Sequence, residues 1–464
     1  MRKLIKFLAF SILLASLGCT SAPREADTRP NIIIIMTDDQ PYYTIDKMPT
    51  LSEEITSKGI KFTNAYFTTP LCCPSRASIL TGQYAHNHGV RSNQPPLGGA
   101  AKFKDGDTIA TEFKNAGYKT AYIGKYLNYY KSLSPLGYVP PGWEYWFSFL
   151  NIEVIQDYGY YYNLATSEQG FVDHNNTEYG TSITTDKAVE FISQYPEYPF
   201  LLYVSYFSPH TPYLPEEKYS QSFSPGDLTY LPNFNEEDIS DKPSWMMNYE
   251  PVNPAKAEEA KLALLRSLMS VDEGIGKILQ ELEKNNIRDN TVILFLTDNG
   301  ISMGEHRLFK DKRFPYEENI KIPLLISYPK LITAPREENR FVLNIDIAPT
   351  LYEIAGIPIP SSVDGESFLP LILGTAVKWR TFFLAEHWAE PAGSDPTPQQ
   401  FSPTFNLIRD QNWKYIEYVT GEIELYDLDI DPYELNNLAK KNKFQELIQT
   451  LKFKLDAMID FTTR

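Results

Sequence analysis

Two short acidic stretches are the first candidates for chemistry. Asp38-Asp39 follows the apolar run Asn31-Ile-Ile-Ile-Ile-Met36, and Asp298-Asn299 follows Asn290-Thr-Val-Ile-Leu-Phe-Leu-Thr297. Such β-branched runs read as strands buried on both faces of a parallel sheet, and α/β folds place ligands at the carboxyl ends of those strands. An Asp-Asp pair alone is commonly a helix cap or a turn. Two strands delivering carboxylate and amide oxygens to one edge would instead assemble a hard-cation site, suited to Ca²⁺ or Mg²⁺ rather than zinc. Between them lies Cys72-Cys73-Pro74-Ser75-Arg76. Ser and Pro before apolar residues start helices, which puts the permanently charged Arg76 one turn beyond Cys72. A further strand, Phe200–Tyr206, leads to His210, held between Pro209 and Pro212. Proline restricts the backbone there and pre-orders the ring, making His210 a general-acid candidate.

The longer run Cys72-Cys-Pro-Ser-Arg-Ala-Ser-Ile-Leu-Thr-Gly82 resembles the signature of the type I sulfatases, C-x-P-S-R-x-x-x-L-T-G, at every fixed position. The resemblance implies that a separate maturation enzyme oxidises Cys72 to formylglycine. Its hydrated diol attacks the sulfate ester and then collapses to release sulfate. It implies metal ligands at Asp38, Asp39, Asp298 and Asn299, with residue 72 also reaching a calcium ion (Mg²⁺ being the other option). It further implies that Arg76, Lys125 and Lys312 hold the charged sulfate oxygens, while His210, in a P-H-x-P element, protonates the leaving sugar oxygen. Most members read G-K-W-H where this chain has Gly124-Lys-Tyr-Leu-Asn128. Leu127 therefore replaces a histidine that serves sulfate release, Asn128 is no chemical substitute, and the base for that step is left open.

The same G-K-Y-L-N wording, with Tyr84-Ala-His-Asn-His88, is similar to the N-acetylglucosamine-6-sulfatase branch. The expected substrate is thus a sulfated glycan, with exo removal of 6-O-sulfate from N-acetylglucosamine as in glycosaminoglycans. A sulfated algal polysaccharide is the alternative substrate. Two rival functions are a phosphomonoester or phosphonate hydrolase of the same superfamily and an inactive glycan-binding protein. His88, His306 and Trp388 are candidate substrate contacts, and the Asp157–Tyr162 run is a candidate aromatic platform. The Pro-rich loop 389–403 is a candidate rim.

The elements that must position these groups follow from the apolar pattern. The strands expected are 31–36, 118–123, 200–206, 290–297 and 322–327, with one long amphipathic helix over 255–283. Shorter strands follow at 382–386, 405–409, 414–418 and 424–428, then a closing helix over 444–459. The expected fold is α/β: an alkaline-phosphatase-like mixed sheet sandwiched by helices, plus a small C-terminal antiparallel subdomain with a helix. The expected boundaries are 1–18 signal peptide, 19–29 tether, 30–375 catalytic domain and 376–464 C-terminal subdomain. The N-terminus carries Arg2, Lys3 and Lys6, then a short apolar run, then Gly18-Cys19. That pattern reads as an export signal of the lipoprotein type. It places the mature protein in the periplasm or at the cell surface, its only membrane attachment a lipid on Cys19. Only three cysteines occur, so no disulfide framework is expected. A net charge of −16 excludes nucleic acid as a partner. It also requires a local cationic pocket for any anionic substrate.

Overall fold

The computed structural model describes residues 27–463, except 131–132, 134–136, 151–159, 376 and 391–401. The export signal with Cys19, Asp157–Gly159 of the aromatic run and most of the 389–403 rim lie outside the described residues. Ten strands form one mixed sheet. Its centre is the parallel set Thr291–Thr297, Asn31–Thr37, Phe200–Ser205, Lys119–Gly124 and Tyr145–Phe149, in that spatial order. Beyond Thr291–Thr297 come Leu324–Ser327 and Ile60–Phe62, each antiparallel to its inner neighbour, then Arg336–Glu338. The other edge is closed by the antiparallel strands Leu164–Glu168 and Phe171–Asn176.

Alternation along the central strands divides the core into two layers. Ile32, Ile34 and Met36 pack with Ala77 and Leu80 of the helix Cys72–Thr81, and with Phe113 and Leu351 of the helices Ile109–Asn115 and Ile347–Ala355. Ile33 and Ile35 point the other way, against Phe191 of the helix Gly180–Gln194 and Leu268 and Ile275 of the helix Pro254–Lys284. Each such side chain, fully buried, contributes about 1.5–3 kcal/mol relative to exposure. Burial on both faces is why the strand is an unbroken apolar run, with no polar alternation.

A second, four-stranded antiparallel sheet runs in chain order through Phe382–His387, Phe405–Asp410, Trp413–Tyr418 and Ile423–Asp427. The helix Gln445–Thr462 backs it with Ile448, Leu451 and Leu455, and a third apolar cluster joins this sheet to Tyr66, Phe314, Tyr316 and Phe341 of the large unit. The sequence did not announce the edge strands Leu164–Glu168 and Phe171–Asn176. Their residues are mostly small or polar, and they carry neither a continuous apolar run nor a clean alternation.

Candidate active site

The carboxyl ends of the central strands converge on one pocket. Thr37 and Thr297 are register partners in adjacent parallel strands, so the acidic pairs after them emerge side by side. The Asp39 backbone N–H donates to Asp298 Oδ1 at 3.2 Å, and Asn299 Nδ2 donates to Asp39 Oδ1 at 2.5 Å. Asp39 holds a left-handed backbone (φ 60°), a conformation uncommon outside glycine and concentrated at functional sites. At Gly124 (φ 110°) a Cβ would lie 2.0 Å from the Ser205 carbonyl oxygen. Only glycine allows that approach, and the next residue, Lys125, turns inward to pair with Asp38.

Cys72 opens its helix at this point. Its Sγ lies 3.8 Å from Asp38 Oδ1, 4.0 Å from Asp39 Oδ1 and 2.7 Å from Lys312 Nζ. Lys312 Nζ is also 2.6 Å from Asp39 Oδ1. Arg76, one turn along, donates to Asp298 (2.7 Å) and Asp38 (3.3 Å), and to the Lys125 carbonyl and Ser205 Oγ (both 2.8 Å). His210 Nε2 stands 3.5 Å from Asp39 Oδ2. Its Nδ1 donates to the Thr211 carbonyl at 2.8 Å, which leaves Nε2 as the working nitrogen.

Three carboxylates (Asp38, Asp39, Asp298) thus face three cations (Arg76, Lys125, Lys312) in a nearly closed space. Burial by itself would raise the Asp38 and Asp39 carboxyls; Lys125 for the first and Lys312 for the second, with His210, outweigh it, so both lie below the usual range. Burial likewise opposes the charged forms of Lys125 and Lys312, but Asp38 and Asp39 hold both above the usual lysine value. The Cys72 thiol is pushed up to about 12 by burial, despite the two lysines. A thiol that stays protonated is a poor nucleophile. Burial also lowers His210, against the pull of Asp39 and Asp38. Ligand atoms of Asp38, Asp39, Cys72 and His210 all lie within 4.8 Å of one another. Asn299 Oδ1 is buried without a hydrogen-bond partner, as an oxygen meant for a cation would be. The donor set therefore fits a hard divalent ion.

Other expectations fare differently. His306 is not brought to this pocket: it is fully buried elsewhere, with Nδ1 2.6 Å from Glu236 and Nε2 3.0 Å from Asn233. His88 is buried behind the Cys72 helix. Its Nε2 meets Ser78 Oγ at 3.0 Å and its Nδ1 accepts from the Val90 N–H, so the ring braces the Cys72 helix. Tyr161 is buried and Tyr160 half-buried, both rings edge-on to Phe207, and Tyr161 OH donates to the His210 carbonyl at 2.6 Å. Trp388 is half-buried, with the Arg91 guanidinium 4.9 Å from its ring centre. The neighbouring Glu390 is tied to Ser92 and Gln94, while Asn93 caps the Cys73 N–H at 2.9 Å. The sequence reading missed Ser205 and Asn93, which hold Arg76 and the Cys72 helix, and gave Tyr161 only as part of the aromatic run, whereas it anchors the His210 backbone. Ser205 ends a central strand beside Gly124, the one signal that could have singled it out.

Comparison with known proteins adds family context. A model described as Sulfatase matches residues 30–357, and one described as N-sulphoglucosamine sulphohydrolase, C-terminal, matches residues 304–460. An N-acetylglucosamine-6-sulfatase of Capra hircus is 30% identical over 94% of this chain and 85% of its own length. An extracellular sulfatase SULF-1 homolog of Drosophila melanogaster is 35% identical over 78% of this chain, which spans only 33% of that protein. A structure solved in complex with its substrate, D-glucosamine-2-N,6-O-disulfate, superimposes with a TM-score of 0.80 at 26% identity, covering 94% of this chain and 98% of that one.

Proposed function

The chain belongs to the sulfatase family, and from that premise we propose that it hydrolyses sulfate monoesters of a carbohydrate, with the 6-O-sulfate of N-acetylglucosamine units as substrate. The observation that carries this reading is Cys72 at a helix N-terminus, inside a ring of three cations and three carboxylates. The Cys72 Sγ marks where the oxygens of a formylglycine diol would lie. The diol supplies an oxygen nucleophile, and a Ca²⁺ ion held by Asp38, Asp39, Asp298 and Asn299 would neutralise sulfate charge and lower the attacking hydroxyl's pKa.

The chain's own side chains do the rest. Lys125, Lys312 and Arg76, with the positive end of the Cys72 helix, bind the sulfate oxygens, and preorganised charge of this kind is usually the largest catalytic term. Tyr161 anchors the His210 backbone carbonyl and the Thr211 carbonyl holds ring Nδ1, which leaves Nε2 to deliver a proton to the leaving sugar oxygen. An anionic ester in the pocket favours the imidazolium and so opposes the effect of burial. Support for N-acetylglucosamine comes from the Gly124-Lys-Tyr-Leu-Asn128 wording, from the goat enzyme's name and from the 6-O-sulfated ligand of the superimposed structure. A primary 6-O-sulfate projects from its ring and can reach a recessed nucleophile while the sugar stays at the mouth.

The same proposal includes export with a lipid on Cys19, a domain boundary near residue 375 and dependence on a maturation enzyme. Among the described residues no helix is long and apolar enough to cross a membrane. Mass spectrometry of the peptide containing residue 72, beside assays of 6-, 3- and 2-O-sulfated monosaccharides, tests the reading. An unoxidised Cys72 in an active enzyme would overturn the chemistry. Preference for a secondary sulfate, or for sulfated galactose or fucose, would overturn the substrate alone.

A further inference from the structure

Two of the three pocket cations meet at one backbone oxygen, the carbonyl of Lys125. Arg76 Nη1 donates to it at 2.8 Å, and the hydroxyls of Tyr122 and Ser205 each donate to it at 2.6 Å. Arg76 Nη1 also donates to Ser205 Oγ at 2.8 Å. A carbonyl oxygen has two lone pairs, so three donors exceed what satisfying a buried backbone group requires. The Lys125 N–H is engaged too, donating to the Ser205 carbonyl at 2.9 Å. Both backbone polar groups of Lys125 are thus fixed, and its ammonium pairs with Asp38 and lies 5.6 Å from the Phe207 ring centre. Arg76, Tyr122, Lys125 and Ser205 are all buried.

The Tyr122 hydroxyl is more than packing asks for. Its ring sits between its register partners Tyr203 and Trp146, stacked on them at 4.9 and 5.2 Å between centres, with Tyr126 and Trp143 edge-on at 5.2 Å. A phenylalanine would keep all four contacts. The four rings hold the hydroxyl in one place, where it bonds the Lys125 carbonyl three residues on. Ser205 comes from the neighbouring strand, opposite Gly124, so the carbonyl is gripped from two strands at once. Arg76 reaches it from the Cys72 helix, which shares an apolar layer with Tyr122 and Tyr203. The Nε and Nη2 groups of Arg76 bond Asp298 and Asp38, so the guanidinium is held on both sides. Charge fixed by a buried, bonded network needs little reorganisation when an ester reacts, and that is the condition under which it stabilises a transition state best.

We propose that Tyr122 and Ser205 are positioning residues for the sulfate-binding cations. Acting together on the Lys125 carbonyl, they set the spacing between the Arg76 guanidinium and the Lys125 ammonium. Neither hydroxyl is a catalytic residue, since each acts through that carbonyl. This assignment rests on the sulfate-ester reading above and deepens it by naming what holds its cations in place.

The test uses the full mature chain with Ca²⁺ present, as Tyr122→Phe, Ser205→Ala and the double variant, each checked for folding by circular dichroism. Tyr122→Phe keeps every ring contact, so its fold is retained. Rates are measured on a sugar 6-sulfate and on an aryl sulfate. Each single change should lower kcat/KM about tenfold, the scale of one buried hydrogen bond beside a charge. The double variant should lose about twentyfold, well short of the product of the two, because both hydroxyls act through one carbonyl. The losses should be equal on the two esters, because these cations hold the sulfate and not the leaving group. Folded single variants within about twofold of wild type, or a double loss equal to the product, would overturn the shared role. A loss confined to the sugar ester would overturn it too, by placing the effect on His210. Calorimetric titration with inorganic sulfate reads the same cations without turnover and so separates this idea from the substrate reading. A Kd raised about fivefold in Tyr122→Phe supports the positioning role even if neither ester is cleaved. A Kd unchanged in that variant, or no binding by any form, rejects it.

Discussion

Among the described residues lie two buried charge clusters, each containing a set of side chains able to ligate a metal, and they behave in opposite ways. The first, around Cys72, keeps Asp38 and Asp39 charged because Arg76, Lys125 and Lys312 point straight at them, and it opens to solvent at His210, whose side chain is 23% exposed. The second lies between the large unit and the C-terminal sheet, where His306, Glu318 and Glu434 are sealed. There burial, Glu305 and Glu434 push the Glu318 carboxyl up to about 8. Lys414 is committed to Glu317 at 2.9 Å and Glu434 at 2.6 Å and does not relieve it. His306 and Asn233 are bonded to each other and to Glu236 and Glu318. Burial alone therefore does not mark a functional cluster. The Cys72 cluster holds charge that an ion and an ester can answer, and the His306 cluster favours protonated carboxyls beside the C-terminal sheet.

The largest expected break in this comparison is at residue 72. Cys72→Ala should abolish sulfate release, whereas Cys73→Ala, whose side chain packs in the apolar layer, should keep most of it. Equal loss in two folded variants, judged by circular dichroism, would place the chemistry elsewhere. His210→Ala should lower kcat on a sugar sulfate by about 10²–10⁴-fold. The loss should be much smaller on an aryl sulfate, whose leaving group needs no proton, so equal losses on both esters would remove the acid role.

Chelation should stop activity and lower Tm modestly, with Ca²⁺ restoring both. At a hundredfold excess over Kd a bound ion adds about 2.7 kcal/mol. Indifference of both readouts, with metal analysis finding none, would leave the pocket's charge balanced by lysine and arginine alone. Lys414→Met is the matching break in the second cluster. Removing one member of a buried ion-pair network costs about 3–5 kcal/mol, which denaturant titration would read, while kcat of the folded enzyme should hardly change. A collapse of kcat with unchanged stability would reverse the division of labour drawn here.

The smallest effect is a pH dependence. With a folded pKa above its unfolded value, Glu318 stays protonated in the native state while the unfolded chain releases the proton. The native state thus binds more protons between about pH 4.5 and 8, and stability falls as pH rises through that window. Glu318→Gln, which mimics the protonated acid, should flatten the fall and raise Tm at pH 8–9 by a few degrees. An unaltered slope in melting curves from pH 5 to 9 would show the proton is held elsewhere.

Much of the site was legible because its residues sit at predictable places. Buried parallel strands must be continuous apolar runs, so Asn31–Thr37, Thr291–Thr297 and Phe200–Ser205 could be read directly, with the functional groups just beyond their ends. The Cys72 helix and its Arg76 spacing were equally local. The six histidines were not separable in this way. His88, His210 and His306 all lie near recognisable wording, yet one braces a helix, one faces the pocket and one fills a sealed polar network.

Sequence by itself determined the strands, the family signature and the chemical types at the strand ends, because each depends on neighbours within one or two turns of chain. Only the tertiary structure decided how those ends meet. The pairing of Thr37 with Thr297 brings Asp39 beside Asp298, and the absence of a side chain at Gly124 lets Lys125 turn inward. Ser205 and Tyr161 acquire positioning roles from contacts 129 and 49 residues distant along the chain. The raised carboxyl of Glu318 is likewise a matter of three-dimensional placement. A charge's state depends on the dielectric and on the charges around it, and those are set by folding across the chain, not by the spacing of letters within it.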